Sequence, residues 1–373
     1  MRVGIDARLV SGRNTGDRTY WRGLLSGLSA LPGDHEFLLY ARTQPDSEDV
    51  PRLDERFRWR IVPAATDRTW SLGTFPLSAS RDRIDVAHVQ YTVPLFMKAP
   101  VVTTIADISF RLFPQMFPRK DAFLLGTTIP WSISLAAAVI AVSKSTRDDI
   151  LSHYRSTPPG KVHAIHNGVD ERYRPAAADR AGAIRDLVKV RYTHDRPYVL
   201  CVGLLQPRKN VPLLLRAFRR ARREAGLPHV LAVVGRRGWL AEETEQAIAE
   251  AGDDVVFTGY VPDGDLPMLY QGADALAFPS LYEGFGLPVA EAMACGCPVI
   301  AGNTSSLPEV AGDAGLLVSP NDEDAWAGAL ARLLRDEALR ADMSRRGLEQ
   351  ARRFSWTVAA GQTLEVYRQA AKL

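Results

Sequence analysis

Short apolar runs alternate with longer amphipathic stretches along most of this chain. The runs are nearly continuous in hydrophobicity, as expected of strands that are buried on both faces of a parallel sheet. The longer stretches repeat apolar residues with helical spacing, so the pattern predicts successive strand–helix units. In the first half the predicted strands are Val3–Asp6, Glu36–Tyr40, Trp59–Val62, Asp85–Val89, Val101–Ile105, Ala138–Val142 and Val162–Ile165, and the predicted helices are Thr19–Ala30, Arg119–Leu135 and Ser145–His153.

This alternation stops after residue 170 and starts again near residue 196. The intervening residues 171–195 are rich in Arg, Ala and Asp, which indicates a linker with one short helix. The second set of predicted strands is Tyr198–Val202, Val230–Val234, Val255–Thr258, Ala273–Phe278, Pro298–Ala301 and Gly315–Val318. The second set of predicted helices is Val211–Glu224, Trp239–Ala251, Asp265–Gln271, Leu287–Cys295, Asp322–Leu334, Ala338–Ala351 and Trp356–Ala371.

We therefore predict an α/β protein with two Rossmann-like, doubly wound parallel-sheet domains. The predicted boundaries are residues 1–170 for the first domain, 171–195 for the linker, 196–353 for the second domain and 354–373 for a last helical segment. A length of 373 residues agrees with two domains, because single hydrophobic cores rarely grow that large.

Composition narrows the functional class only slightly. Hydrophobic residues make up 46% of the chain and charged residues 24%, as in ordinary globular proteins. A formal net charge of +3 does not call for a nucleic-acid partner. Three cysteines suit a reducing compartment, no signal peptide is recognisable, and the apolar run Ile129–Val142 is too short to span a membrane. These features predict a cytoplasmic protein and leave open contact with the inner face of the membrane.

One stretch is conspicuously basic, and two interpretations of it stay open. Arginines recur at partly helical spacing at positions 216, 219, 220, 222 and 223. They form either a solvated helix face or a patch that attracts anionic lipid.

The most informative segment is residues 279–300, which reads Pro-Ser-Leu-Tyr-Glu-Gly-Phe-Gly-Leu-Pro-Val-Ala-Glu-Ala-Met-Ala-Cys-Gly-Cys-Pro-Val-Ile. Glu283 lies in a loop before a predicted helix and Glu291 lies inside that helix, with Pro288 in its first turn. The first amides of a helix favour an anion, and a carboxylate accepts two hydrogen bonds from a vicinal diol. This segment resembles the donor-binding signature of retaining nucleotide-sugar glycosyltransferases, specifically glycosyltransferase family 4.

That resemblance extends over essentially the whole chain and implies a GT-B fold, in which two Rossmann-like domains face each other across a cleft and the final helix returns to the first domain. It implies that Glu283 contacts sugar hydroxyls as part of the catalytic set and that Glu291 holds the ribose. The residues between them that the resemblance assigns to donor binding are Gly284, Phe285, Gly286 and Leu287.

Ligands of open parallel sheets bind beyond the carboxyl ends of the strands, which draws attention to two further loops. Gly16 follows the first strand, where the resemblance implies close approach of a glycine to the donor diphosphate. Gly203 follows strand Tyr198–Val202 and precedes Arg208 and Lys209, to which the resemblance assigns the two phosphates. Two fixed cations would neutralise the charge on a departing nucleoside diphosphate and would be catalytic in that sense.

The same edge of the second domain carries the remaining donor-binding candidates. The resemblance places the base near Val261, where main-chain groups would contact it, and Gly235 follows the preceding strand. The pairs Asp263/Asp265 and Asp322/Asp324 match Asp-x-Asp, but each begins a helix, where acids are favoured for structural reasons. We therefore expect no metal site and no cofactor.

One position departs from the family pattern. Members usually have His-Asp after the strand Val101–Ile105, whereas this chain has Ala106 followed by Asp107. Asp107 is kept as a catalytic candidate, and His88 at the end of the neighbouring strand is a candidate substitute or a structural histidine. Ala106 is compatible with a natural variant that works otherwise, a weakened or inactive paralogue, or an introduced alanine.

The sequence thus predicts a retaining hexosyltransferase that moves a sugar from a nucleoside-diphosphate sugar to a hydroxyl of a glycan or glycolipid without a metal. The local sequence of its motifs resembles that of bacterial mannosyltransferases of polysaccharide biosynthesis. This resemblance favours GDP-mannose over UDP-glucose as donor. The alternatives are a nucleotide-sugar-binding paralogue, which Ala106 favours, and a sugar-nucleotide epimerase, which the Glu-Gly-Phe-Gly motif disfavours.

Overall fold

The computed structural model describes residues 1–11, 15–46, 50–238 and 242–372. Two compact units make up the chain. The first unit contains residues 1–112, 119–168 and 355–373, and the second contains residues 113–118 and 169–354. Each unit carries one parallel sheet flanked by helices, which confirms the predicted α/β class with two doubly wound domains.

The sheet of the first unit has seven parallel strands in the order β3-β2-β1-β4-β5-β6-β7. These strands are β1 Arg2–Asp6, β2 Glu36–Ala41, β3 Phe57–Ile61, β4 Val86–Gln90, β5 Val101–Ile105, β6 Ala138–Ala141 and β7 Val162–Ala164. The central strands are buried along almost their whole length, which explains why most of their residues are apolar. The strand order reverses between β1 and β4, so the crevice expected for ligands lies at the ends of these two strands.

Helices of the first unit are α1 Thr15–Ala30, α2 Asp67–Thr69, α3 Phe75–Arg81, α4 Ser109–Leu112, α5 Arg119–Leu135, α6 Lys144–His153 and α15 Trp356–Ala371. The last of these, α15, packs closely on α1 because two glycines of α1 leave room for Trp356. A Cβ atom at Gly23 would lie 2.0 Å from the Trp356 ring, and one at Gly27 would lie 2.2 Å from the Trp356 carbonyl oxygen. The last helix of the chain is therefore an integral part of the first unit.

The second unit has six parallel strands in the order β10-β9-β8-β11-β12-β13. They are β8 Tyr198–Val202, β9 Val230–Val234, β10 Val255–Gly259, β11 Ala275–Phe278, β12 Val299–Gly302 and β13 Leu316–Val318. The helices are α7 Ala181–Tyr192, α8 Val211–Ala225, α9 Glu242–Ala249, α10 Leu266–Gly272, α11 Leu287–Ala294, α12 Leu307–Ala311, α13 Glu323–Arg335 and α14 Glu337–Ala351. Here the strand order reverses between β8 and β11, which marks the second ligand crevice.

The structure departs from the predicted elements in a few places. Helix α1 begins at residue 15 instead of 19, so Gly16 lies in its first turn. The predicted start of a helix at Trp239 lies outside the described residues, and α9 is described from Glu242. Residues 181–192 of the expected linker form a regular helix, α7, which contacts α10 and belongs to the second unit.

The basic stretch on α8 is a solvated, ion-paired helix face. Arg216 pairs with Glu323 and Glu243, and Arg220 pairs with Glu224 and Asp324. Because acidic neighbours offset these cations, the structure favours the first of the two interpretations left open by the sequence and not the lipid patch.

The close contact between α1 and α15 leads to a testable difference between two helical glycines. Gly27→Ala should destabilise the protein by roughly 1–3 kcal/mol, because the new methyl group would meet rigid backbone. Gly328→Ala in α13 meets nothing within 4 Å and should stabilise by about 0.5–1 kcal/mol through helix propensity. Thermal unfolding of both variants measures the effect. An unchanged melting temperature for Gly27→Ala would show that α15 does not depend on this approach.

Candidate active site

Three charged side chains meet at the strand reversal of the second sheet. Arg208 and Lys209 lie in the short turn between β8 and α8, and Glu283 lies in the loop between β11 and α11. The Arg208 guanidinium is 2.9 Å from one carboxylate oxygen of Glu283, and the Lys209 ammonium is 2.6 Å from the other. The sequence prediction that these three residues belong to one site therefore agrees with their placement at the carboxyl ends of adjacent strands.

This charged cluster is buried, which makes its electrostatics strong. Lys209 is 9% exposed and Glu283 is 7% exposed. Burial by itself would raise the pKa of Glu283, but the adjacent charges of Arg208 and Lys209 outweigh it and lower the pKa to about 2. Glu283 is thus an anion at all physiological pH values. Burial lowers the pKa of Lys209, but the charge of Glu283 opposes that shift. With both cations protonated, the cluster of two cations and one anion carries a net positive charge.

Close backbone packing sets the position of the Lys209 side chain. Its ammonium lies 4.6 Å from the centre of the Phe278 ring, and its stem runs past Gly203. Gly203 in turn touches Gly235, where a Cβ atom would lie 1.9 Å from the Gly203 carbonyl oxygen. The two glycines predicted to bind the donor therefore have a packing role in this structure as well, since they let the loops after β8 and β9 lie side by side.

The loop that carries Glu283 is held by two serines that precede α12. The Glu283 amide donates to Ser305 Oγ at 2.8 Å. The Ser306 hydroxyl lies 2.9 Å from the Glu283 carbonyl oxygen and 2.8 Å from that of Phe285. Gly286 then begins α11 with a φ of +101°, a conformation that side chains rarely adopt. Gly284 and Leu287 complete this turn, so the predicted donor loop has a fixed shape.

Glu291 lies one to two turns into α11 and is only 6% exposed. The Tyr270 hydroxyl donates a hydrogen bond to it at 3.0 Å, and Tyr173 and Arg172 lie close enough to affect its charge. Burial raises the pKa of Glu291 to about 7, although these neighbours oppose the rise. Glu283 and Glu291 therefore differ strongly in charge state, which their sequence spacing did not reveal.

Tyr173, Arg172 and Tyr270 are candidate site residues that the sequence analysis missed. The first two lie in the stretch interpreted as a linker, and Tyr270 lies in a short helix without a motif. The Tyr173 and Tyr270 rings stand 5.8 Å apart around Glu291. No sequence signal marks them, because only the tertiary structure brings residue 173 next to α11.

The predicted base-binding edge is well packed. Val261 is 6% exposed and follows Tyr260, whose ring lies under the Arg236 guanidinium at 4.4 Å. Arg236 directly follows Gly235, so this stacking joins the loop after β9 to the loop after β10. Gly16, in contrast, belongs to the first unit and is exposed in the first turn of α1.

The strand ends of the first unit hold a second group of candidate residues. Ala106 and Asp107 directly follow β5. One carboxylate oxygen of Asp107 accepts hydrogen bonds from the Ser109 amide at 2.8 Å and from its hydroxyl at 2.5 Å. Asp107 thereby starts the short helix α4, a structural role that accompanies its predicted catalytic role.

His88 is a core residue of the first unit. It is 0% exposed, and its two ring nitrogens lie 2.5 Å from the Tyr367 hydroxyl and 2.8 Å from that of Thr104. Burial lowers the pKa of His88 to about 3, so the imidazole is neutral. Both nitrogens already have partners, so this arrangement agrees with the structural interpretation of His88.

Tyr91 and Asp17 were also missed by the sequence analysis. Tyr91 follows β4 at the strand reversal, has a φ of +64°, and donates from its hydroxyl to Asp17 at 3.1 Å. Gln90 donates to the same Asp17 oxygen at 2.8 Å, while its own amide oxygen has no hydrogen-bond partner within the described part of the chain. Strained backbone and an open polar atom at a strand reversal are features of ligand sites. The Asp-x-Asp and glycine patterns used in the sequence analysis did not mark Tyr91 or Asp17 as site residues.

The raised pKa of Glu291 predicts an unusual dependence of stability on pH. An unfolded glutamate titrates near about 4.3, so the folded protein carries an extra proton between about pH 4.3 and 7 and loses stability as pH rises through that window. Glu291→Gln should therefore be more stable than the parent at pH 8, by roughly 3 kcal/mol, and similar to it near pH 4. Melting temperatures across this range test the prediction, with exposed Glu349→Gln as control. A lower melting temperature for Glu291→Gln at pH 8 would contradict it.

Comparison with known proteins identifies the family. Residues 185–350 match the family model described as glycosyl transferases group 1, and residues 16–173 match that of glycosyltransferase family 4. The chain is 34% identical over 269 residues to O-antigen chain mannosyltransferase B of Escherichia coli, covering 72% of this chain and 70% of that protein. It is 36% identical over 299 residues to D-inositol 3-phosphate glycosyltransferase of Salinispora arenicola, covering 76% of this chain and 65% of that protein.

Solved structures agree on the fold. Sucrose-phosphate synthase from Thermosynechococcus elongatus superposes with a TM-score of 0.76 at 22% identity, over 99% of this chain and 98% of that one. The chain has two parallel-sheet units that each contain a strand reversal, together with the Glu-Gly-Phe-Gly loop and its two cations. The chain therefore belongs to glycosyltransferase family 4, and the predictions of a GT-B fold and of a hexosyltransferase are confirmed.

Proposed function

We propose that this protein transfers a hexose from a nucleoside-diphosphate sugar, with GDP-mannose favoured, to a hydroxyl group of a glycan or glycolipid. The observation that carries the proposal is the cluster of Arg208, Lys209 and Glu283 at the strand reversal of the second sheet. Its net positive charge suits a diphosphate, and its burial strengthens the attraction. The E. coli relative is named for mannosyl transfer to an O-antigen chain, which supports mannose and a surface-glycan acceptor.

In the proposed reaction the bond between the sugar C1 and the diphosphate oxygen breaks, and a bond between C1 and the acceptor oxygen forms with retention of α configuration. Arg208 and Lys209 stabilise the negative charge on the departing diphosphate, which replaces the usual role of a metal ion. A departing phosphate oxygen takes the acceptor proton, so no separate general base is needed. Glu283 holds the two cations in place and, in the proposal, uses its remaining lone pairs for sugar hydroxyls.

Glu291 is assigned to the ribose of the donor. The raised pKa of its buried carboxyl allows it either to donate or to accept a hydrogen bond near neutral pH. Tyr270 and Tyr173 enclose it within the second unit, which favours a flat, hydroxyl-bearing group at this position. The acceptor is assigned to the strand ends of the first unit, where Asp17, Tyr91 and Gln90 offer polar groups at the reversal of the sheet.

A nucleotide-sugar-binding paralogue is the second candidate, and Ala106 is the observation that favours it. In this alternative the donor site of the second unit binds normally, but no sugar reaches an acceptor.

Within the described residues, no helix is both long and apolar enough to cross a bilayer. For either candidate we propose a location at the inner face of the membrane through peripheral contact, where a glycolipid acceptor would be found.

Replacing either cation should remove most of the catalytic power. Arg208→Ala and Lys209→Ala should each lower mannosyl transfer from GDP-mannose by roughly 10²-fold or more, because one donor to the leaving-group charge is lost. Transfer is measured with a panel of nucleotide sugars, each offered with lipid-linked and soluble glycan acceptors. Arg219→Ala, which removes an arginine on the exposed face of α8, serves as the matched control and should leave turnover unchanged.

Two outcomes of this measurement would count against the proposal. Losses below about threefold for both cation variants would remove them from the reaction, since loss of one such donor typically costs 10²-fold. A donor other than GDP-mannose, used at a higher rate than GDP-mannose, would overturn the choice of sugar while leaving the class of reaction in place.

Position 106 separates the enzyme from the binding paralogue. Ala106 is partly exposed at the end of β5, so a larger polar side chain fits without overpacking the core. If it replaces a working histidine, Ala106→His should raise turnover by up to about 10²-fold, because the sugar and the acceptor become better placed. Affinity for free GDP should change little, since most of those contacts are assigned to the second unit. Turnover and calorimetry are the two measurements.

The alternatives for position 106 give distinct results. A fully active parent whose activity falls in Ala106→His indicates another solution for positioning the sugar, and Asp17 and Tyr91 are then the next residues to exchange. Donor binding without transfer in both forms would favour the binding paralogue over the enzyme.

A further inference from the structure

Helix α5 of the first unit exposes a row of large apolar side chains. Phe123 is 75% exposed, Leu124 50%, Trp131 65% and Leu135 50%. Phe123, Trp131 and Leu135 are separated by multiples of four residues, so they lie along one side of the helix. The opposite side packs into the core through Ile129 and Ile133. Helix α5 is therefore apolar on two sides, and one of these sides faces outward, where a polar side would be expected.

A neighbouring segment enlarges this row. The Val93 amide donates to Ser132 Oγ at 3.0 Å, which places the start of the segment 93–97 beside the C-terminal part of α5. Leu95 in that segment is 51% exposed and Phe96 is 67% exposed. We call these six side chains the α5 apolar face: Leu95, Phe96, Phe123, Leu124, Trp131 and Leu135. Contiguous exposed apolar surface of this kind marks an interaction site in a folded protein.

Basic residues surround this face. Arg119 and Lys120 are exposed in the first turn of α5, and Lys98 is exposed two residues after Phe96. At the other end of the helix the Lys161 ammonium donates to the Ser134 carbonyl oxygen at 2.7 Å. Asp121 is the single acidic residue of α5 and of segment 94–98. The combination of aromatic and aliphatic side chains with a cationic border complements a surface of apolar chains beneath anionic headgroups.

We propose that the α5 apolar face inserts into the headgroup region of a bilayer containing anionic lipid. The inference rests on the proposed function in one respect, because a glycolipid acceptor would have to be reached at the membrane. Helix α5 is 17 residues long and contains Pro130, which suits a helix lying in the interface and not one crossing it. A second copy of this chain is a poorer occupant, since a two-fold contact would bring identical cationic borders together.

Vesicle co-sedimentation tests the assignment on the full chain. Vesicles of phosphatidylcholine and phosphatidylglycerol in equal parts should bind the protein, whereas vesicles of phosphatidylcholine alone should bind it less. Phe123→Ser with Trp131→Ser should weaken binding by about tenfold or more, because two large apolar groups no longer enter the interface. The matched control is Leu72→Ser with Leu77→Ser, which exchanges two side chains of the same unit that are 48% and 60% exposed. This control should bind like the parent.

Trp131 also supplies a direct spectroscopic readout. Brominated acyl chains should quench part of the tryptophan fluorescence of the parent in mixed vesicles. Trp131→Phe keeps an apolar group, so it should still sediment with vesicles but lose that quenched component. Arg119→Gln with Lys120→Gln should reduce binding to mixed vesicles by roughly 30-fold and weaken its salt dependence, as expected for about 1 kcal/mol per basic residue.

Several results would overturn the proposal. The proposal fails if the parent does not bind mixed vesicles, or if the Phe123→Ser/Trp131→Ser variant binds them as well as the parent does. It also fails if the parent forms a dimer in sedimentation equilibrium and this variant does not. Calorimetry with free GDP on the same variant keeps the two proposals separate, because none of the residues assigned to the nucleotide belongs to the α5 apolar face. Loss of GDP binding in every form would contradict the proposed function, whereas vesicle binding that follows the α5 apolar face would still support the surface assignment.

Discussion

The contact on which the candidate site depends is the buried arrangement of Glu283 between Arg208 and Lys209. Two buried cations that lie side by side would repel each other and lose hydration without an anion between them. Glu283 supplies that anion and at the same time joins the loop after β11 to the turn after β8. The site that would bind a diphosphate is therefore built before any ligand arrives, and its positive charge is held in a fixed place.

The two glutamates of the signature show how the surroundings divide chemistry between identical side chains. Two adjacent cations lower the pKa of Glu283 to about 2, whereas burial beside tyrosines raises the pKa of Glu291 to about 7. The first is a permanent anion, and the second changes its charge around neutral pH. The proposed roles need these different properties, since Glu283 would organise two cations while Glu291 would exchange hydrogen bonds with ribose hydroxyls.

The first unit follows a different design. Its strand ends carry uncharged or mutually bonded groups, and its histidine at β4 lies in the core against Tyr367 of α15. Helix α15 is held there by the glycines of α1, which accept the Trp356 ring. The last residues of the chain therefore complete the core behind the predicted acceptor side. Helix α5, in contrast, presents apolar residues outward, which connects this unit to the proposed membrane contact.

The sequence by itself determined both sheets, because parallel strands that are buried on both faces must be continuously apolar, and all the predicted strands are present with ends shifted by two residues at most. It also predicted Arg208, Lys209, Glu283 and Glu291 as site residues, since glycines, a proline and charged residues mark the loops between strand and helix. Only the tertiary structure decided which oxygen meets which cation, the pKa of Glu291, and the placement of Tyr173 and Tyr91. These depend on contacts between residues far apart in the chain, and burial there has no local sequence pattern.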